Sequence, residues 1–268
     1  MSTATLHAPL RSAVTADPSV TSVPFSRLLR VELRKLVDTR AGFWLLAATG
    51  AITVAVIAVF LFAAKPEQLT YMHFVGVTAT PQSILLPVLG ILAITTEWSQ
   101  RTGLVTFTLE PSRVRIAVAK LVVVVGVGLL AVVVALAVAA LGNVAGIVLR
   151  DGAGTWTMGS ANLRDFFFLQ IVGVVQGVAF GMLLMNTAAA IVLYYVLPMA
   201  WTALFTLVGS LEGAAPWLDL NSAIGPVYSG KSLQGDDWAH VAVTGTIWVV
   251  LPFAVGLVRL LRRELKST

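Results

Sequence analysis

The side chains able to do chemistry in this 268-residue chain are few, and two groups of them stand out. One is a polar island, EWSQRTGLVTFTLEPSRVRIAVAK, from Glu97 to Lys120. It lies between two long apolar runs and carries Glu97, Arg101, Glu110, Arg113, Arg115 and Lys120. The other is upstream, where Glu32 and Lys35 stand three residues apart. Carboxylates and cations so placed can pair with one another or meet the charges of a soluble partner. The context of a catalytic centre is missing: there is no G-x-x-x-x-G-K-[ST] phosphate loop, no G-x-S-x-G elbow and no H-E-x-x-H zinc helix. The chain has no cysteine, which excludes disulfides, thiolate metal ligands and cysteine nucleophiles. His7, His73 and His240 have no metal-ligand spacing. The expectation is a protein that is not an enzyme and holds neither a metal nor a cofactor of its own.

The elements that must position these charges are apolar helices. With 57% hydrophobic and 12% charged residues, the composition departs from the roughly 45–50% and 25% of soluble domains. It specifies an all-α integral membrane protein. Six stretches have the roughly 20 apolar residues that cross a bilayer, at about 43–64, 78–96, 120–141, 166–185, 188–209 and 240–260. The second is diluted by Thr78, Thr80, Pro81, Gln82, Ser83 and Pro87. The fourth and fifth form one uncharged run, divided at Asn186-Thr187 into a helical hairpin. Residues 1–23, rich in Ser, Thr, Ala, Pro and Val, predict a flexible tail, and 42–268 a single six-span domain. The net charge of +5 comes from residues clustered beside the apolar runs, so it speaks for topology and not for nucleic acid.

Between tail and first span, residues 24–41 predict an amphipathic helix on the membrane surface. Phe25, Leu28, Leu29, Leu33, Leu36 and Val37 share an arc opposite Arg27, Arg30, Arg34 and Asp38, and this basic face suits lipid headgroups. Glu32 falls within the apolar arc and needs a partner there. Lys35 at i+3, the Glu97 island and a second subunit are all candidates.

Within the island, Pro111 separates a short helix from a basic lead-in to the next span. Its order of residues, an acidic side chain, Arg101-Thr102-Gly103, Thr108-Leu109, Pro111-Ser112-Arg113, then Lys120 opening an apolar run, resembles the first cytoplasmic loop of type-2 ATP-binding cassette (ABC) permeases, actinobacterial members in particular. The string Glu32-Leu-Arg-Lys35-Leu resembles the helix ahead of the first span in that family, and the segment 248–266 resembles its last span and basic tail. The resemblance implies the membrane half of an exporter in a bacterial plasma membrane. It also implies a second permease chain, identical or different, and a cytoplasmic ATPase partner that binds ATP and magnesium. It further implies an ATPase-coupling interface at Glu32, Lys35, Glu97, Arg101, Thr102, Gly103, Arg113 and Arg115. The residues alone leave open an ATP-independent channel or carrier, or a non-transporting membrane assembly protein. The span interiors, which lack Asp, Glu, Lys and Arg, disfavour a proton-coupled carrier.

Gly173, Gly177 and Gly181 repeat every four residues and form one close-packing face, either within the chain or at a subunit seam. Gln170 and Gln176 beside them read as interhelical glue or as part of a substrate path. Fourteen of the eighteen Lys and Arg residues fall before Gly42, in the island or after Gly256, which places both termini and the island in the cytoplasm. Single cysteines at Ser99, Ser160 and Ser232 test this: position 99 should label only from the cytoplasmic side, and positions 160 and 232 only from the opposite side. Labelling of position 160 from the cytoplasm rejects the topology.

Overall fold

The computed structural model describes residues 23–99 and 112–262. The structure is 87% helical, with no strand among the described residues. Six of its helical segments are long and apolar enough to cross a membrane, the composition of a multi-pass membrane protein. The expected tail 1–23 lies almost wholly outside the described residues, as do Arg101, Thr102 and Gly103.

Helix α1 (Phe25–Asp38) meets α2 (Arg40–Ala63) at Thr39. Thr39 caps α2, its hydroxyl accepting from the Gly42 amide at 3.2 Å. A Cβ on Gly42 would run into the Leu36 carbonyl, so only glycine lets the chain turn this tightly. Contrary to a purely lipid-facing helix, α1 buries the stripe Leu28, Glu32 and Leu36 in the protein. Phe25, Leu33 and Val37 stay exposed on one flank, and Arg27, Arg30 and Arg34 are exposed as well.

Helices α3 (Tyr71–Ser99) and α4 (Arg113–Arg150) both exceed the lengths read from apolar runs. Helix α3 starts seven residues early and runs through Pro81 and Pro87, whose missing amides interrupt the backbone ladder without ending the helix. At 38 residues α4 is about 57 Å long, well beyond the roughly 30 Å of a hydrocarbon core. It runs on to residue 150, past the span end read at 141, because Gly142 and Gly146 pack against Ile57, Leu69 and Phe74, and Asn143 donates to the Gly154 carbonyl at 3.3 Å, so none of them breaks the helix. Arg150 closes it by donating to the carbonyls of Leu61 and Phe62 (3.0 and 2.8 Å), which are orphan acceptors at the end of α2.

Helices α5 (Ser160–Leu184) and α6 (Thr187–Leu207) form the expected hairpin. Met185 turns the chain in the left-handed conformation, and the Asn186 side chain caps α6 by accepting from the Ala189 amide at 3.0 Å. Beyond α6 the chain folds into a 3₁₀ turn and three single-turn helices, α7 (Ala215–Leu218), α8 (Leu220–Ala223) and α9 (Gly225–Tyr228). It returns through α10 (Asp236–Gly245), a wide π turn at Thr246–Val250 ahead of Pro252, and α11 (Leu251–Arg262).

Half of the most apolar window of α3 and of α5 is buried, against about a fifth for α2 and α4 and a tenth for α6. These two are therefore the central helices, and the others present broad faces to lipid. Their contact runs along the glycine repeat. A Cβ on Gly177 would strike the Pro87 carbonyl, one on Gly181 would sit 3.2 Å from Ile91 Cα, and one on Gly173 3.4 Å from Pro87 Cγ. The glycine face is thus spent on packing inside the chain. Gly177→Ala should lower thermal stability by about 1–3 kcal/mol, because neither backbone can retreat. Gly50→Ala, where nothing lies within 4 Å, should be neutral and serves as the control. Equal melting temperatures for both variants, followed by thermal unfolding in detergent, would contradict the packing.

Candidate functional site: a buried ring of four charges

Each of three helices brings an ionisable side chain to one point. Glu32 and Lys35 come from α1, Glu97 from the end of α3, and Lys120 from the second turn of α4. Lys35 Nζ lies 2.8 Å from Glu32 Oε1 and 2.8 Å from Glu97 Oε1; Lys120 Nζ lies 2.6 Å from Glu32 Oε2 and 3.1 Å from Glu97 Oε1. The result is a closed ring in which each ammonium bridges both carboxylates. Glu32, Glu97 and Lys120 are buried, at 3%, 7% and 6% exposure, and Lys35 forms the rim. The ring answers the anomaly of Glu32 on an apolar arc: its partners are both Lys35 and Lys120.

The surroundings explain how the ring holds. Leu28 packs with Ile116 and Ala119, fixing α1 against α4 one turn from the charges. Beside the ring a small cavity of about 180 Å³ is walled by Thr39, Gly42, Leu92, Thr96 and Val123. Burial alone would push the Lys35 ammonium below its ordinary value, but Glu97 and Glu32 together outweigh it and hold it above 10.5. Stability from this raised group is fully present below the ordinary lysine value and is lost only as pH rises through the higher one. Lys35 therefore stays charged throughout the neutral range.

Arg113 and Arg115 turn inward. Arg113 Nη1 donates to the carbonyls of Leu260 and Leu261 (2.9 and 3.4 Å), and Arg115 Nη2 to that of Val23 at 2.7 Å. The start of α4 is thus tied to the end of α11 and to the segment before α1. Arg259 Nη1 donates to Leu183 O at 2.5 Å and closes α5 at the same end of the bundle. The expected site residues Glu32, Lys35, Glu97, Arg113 and Arg115 therefore gather at one end, joined by Lys120, which opens an apolar run in the sequence.

The opposite end is closed by two buried carboxylates. Asp165 is fully buried on α5, paired with Arg164 at 2.8 Å, and it accepts from the Leu233 amide at 2.7 Å. Arg164 also stacks over the Trp238 ring, 4.8 Å from its centroid. Asp219, likewise fully buried, caps α8 through the Asn221 and Ser222 amides and lies 3.0 Å from the Thr202 hydroxyl of α6. Trp201 and Trp248 both donate their indole N–H to Leu218 O, at 3.1 and 2.9 Å. Two indoles thus lock this cap in place. Beneath the cap, between α3, α5 and α6, is a cavity of about 670 Å³.

Lys120→Met removes the buried cation that bridges both carboxylates, so it should destabilise the chain by about 3–5 kcal/mol. Adding Glu32→Gln leaves a balanced Lys35–Glu97 pair and should recover most of that loss. Thermal unfolding of the two variants, in which the double is no more stable than the single, would show that the ring is not electrostatically closed.

Compared with known proteins, the chain matches no family model and no curated protein.

Proposed function

We propose that this chain is the membrane-spanning permease subunit of an ABC exporter in a bacterial plasma membrane. It pairs with a second permease chain and is driven by a separate cytoplasmic ATPase, which binds ATP and magnesium. The observation that carries the reading is the ring. It joins α1, which bears the Glu32-Leu-Arg-Lys35-Leu string, to α3 and α4, the two helices on either side of the segment carrying Arg101-Thr102-Gly103. In type-2 ABC permeases those two sequence elements receive the ATPase. A coupling device must move as one piece, and four mutually bridged charges are an efficient way to weld three helix ends together. The same ring resists dissociation, because separating any one helix would leave a charge buried without its partner.

The energetics agree with an external energy source. The buried acidic and basic side chains among the described residues are Glu32, Glu97, Lys120, Asp165 and Asp219, and none of them lines the large cavity. A proton relay through the spans would need such groups along its path. Nucleotide bound by a partner can supply the work only through its differential affinity for two arrangements of the complex, so the permease needs a rigid element facing that partner.

The full chain, purified in mild detergent, is expected to retain a soluble ATPase. Arg101→Gln should leave insertion and the melting temperature unchanged while lowering the partner's coupled ATP turnover severalfold, since a charge at a subunit contact is partly desolvated. Purification without any ATPase, together with substrate movement indifferent to ATP, rejects the reading in favour of a channel or carrier.

A further inference from the structure

The cavity beneath the cap carries an unusual set of polar groups. Gln170 and Gln176 of α5 both line it, and both are more than nine-tenths buried, at 6% and 5% exposure. Neither amide has a hydrogen-bond partner among the described residues, and both open onto the cavity; the fully enclosed side-chain atoms without a partner there are Gln82 Oε1 and Asn143 Oδ1. Gly173 stands midway between them, three residues from each. Tyr194 of α6 reaches over it, its hydroxyl 3.7 Å from where a Cβ on Gly173 would lie. This phenol also lacks a hydrogen-bond partner among the described residues, although its ring is fixed edge-on against Phe180 and Tyr195. Tyr195 differs, because its hydroxyl donates to the Ile84 carbonyl near the proline-interrupted turns of α3.

Three hydrogen-bonding groups around one glycine, all bordering a single space and none paired within the described residues, are placed to bind what occupies it. The rest of the wall defines what that is. Phe166, Leu169, Met199 and Ile224 are apolar, Ser83, Thr206 and Asn221 add neutral polar groups, and none of the described lining residues is Asp, Glu, Lys, Arg or His. A charged ligand would enter a low-dielectric site without a counter-charge, whereas an uncharged one with a hydroxyl or carbonyl can give to and take from the amides and the phenol. The volume falls within the range of small-molecule sites.

We propose that Gln170, Gln176 and Tyr194 form a binding site for an uncharged amphiphile, an apolar or aromatic body bearing a hydrogen-bonding group. On the exporter reading, on which this assignment of a substrate rests, the site names the substrate class. Binding itself requires no ATPase.

The test uses three photoreactive probes sharing one scaffold: 4-(hydroxymethyl)benzophenone, 4-benzoylbenzoate and (4-benzoylbenzyl)trimethylammonium, each with the full chain in lipid nanodiscs. The hydroxymethyl probe should label peptides of α5 and α6 saturably, and the charged probes should label them far more weakly. The near-isosteric double variant Gln170→Met/Gln176→Met should weaken labelling about tenfold, the equivalent of one to two hydrogen bonds. Its melting temperature should be unchanged or raised, because the groups removed have no partner to lose. Equal labelling by all three probes, undiminished labelling of the variant, or a lowered melting temperature that marks the glutamines as structural, each overturns the site. Labelling that persists where no ATPase co-purifies sinks the exporter reading and keeps the site. Intact ATPase coupling without hydroxymethyl labelling does the reverse.

Discussion

Placing four charges where three of them are shielded from water is the constraint around which this bundle is built. Desolvating even one carboxylate or ammonium costs several kcal/mol, and the attraction recovered is sufficient only when geometry is tight and every charge is matched. Glu32, Lys35, Glu97 and Lys120 meet both conditions at once, because each cation spans both anions. Three helices of different sequence origin must therefore end at one place. Gly42 follows from this requirement. The chain has to turn out of α1 within reach of the ring, and any side chain there would collide with Leu36 O.

A second constraint acts in mid-bundle, where the backbones of α3 and α5 touch. Pro87 and Gly177 are complementary in this respect. The proline breaks the regular amide ladder of α3, and the glycine removes the side chain that would otherwise hold the helices apart. Close approach at Gly177 and Gly181 contrasts with Gly173, where the would-be Cβ meets only Pro87 Cγ and the Tyr194 hydroxyl. The helices diverge from there toward the cap, and the cavity occupies the opening. One repeat of small residues thus sets both the close contact of α3 with α5 and the edge of the cavity.

Much of this architecture was legible in the residues. Apolar run length marks six spans, and the hairpin at Asn186 follows from a run too long for one helix. Helix ends were harder to read. Residues 142–150 carry Gly and Asn, which signal a loop in water, yet Asn143 and Gly146 pack within the protein and α4 continues through them. The prolines of α3 likewise weaken a helix by propensity, but in a bundle neighbouring groups take up the freed carbonyls. For the charged site, Glu32 on an apolar arc was a visible anomaly, and Lys120 was its mirror image at the head of an apolar run. Their pairing across 88 residues depends on the crossing of α1 and α4, which no local pattern encodes. That Gln170 and Gln176 find no partner among the described residues and open onto the cavity was equally hidden, since a glutamine beside a glycine repeat is as often a bridge between helices as a ligand group.

The two sites lie at opposite ends of the same helix. Helix α3 ends in Glu97, within the ring, and its other half carries Gly76, Ala79 and Ser83 along the cavity wall. Between them is Pro87, held against Gly177 with no slack. A helix clamped at one point and pulled at one end cannot translate freely, so it pivots. On the proposed function, a partner that draws the ring-bearing end of α1, α3 and α4 in one direction moves the cavity wall of α3 in the other. The interrupted ladder at Pro87 lowers the resistance to bending at the pivot, whereas an unbroken helix would transmit the load to the cap. The cap is less able to yield: Asp165, Asp219 and two indoles hold it to α5, α6 and the last span. The opening between α3 and α6 is then the compliant wall of the site, and it faces the Tyr194 hydroxyl and the two glutamine amides that a ligand would leave as that wall moves.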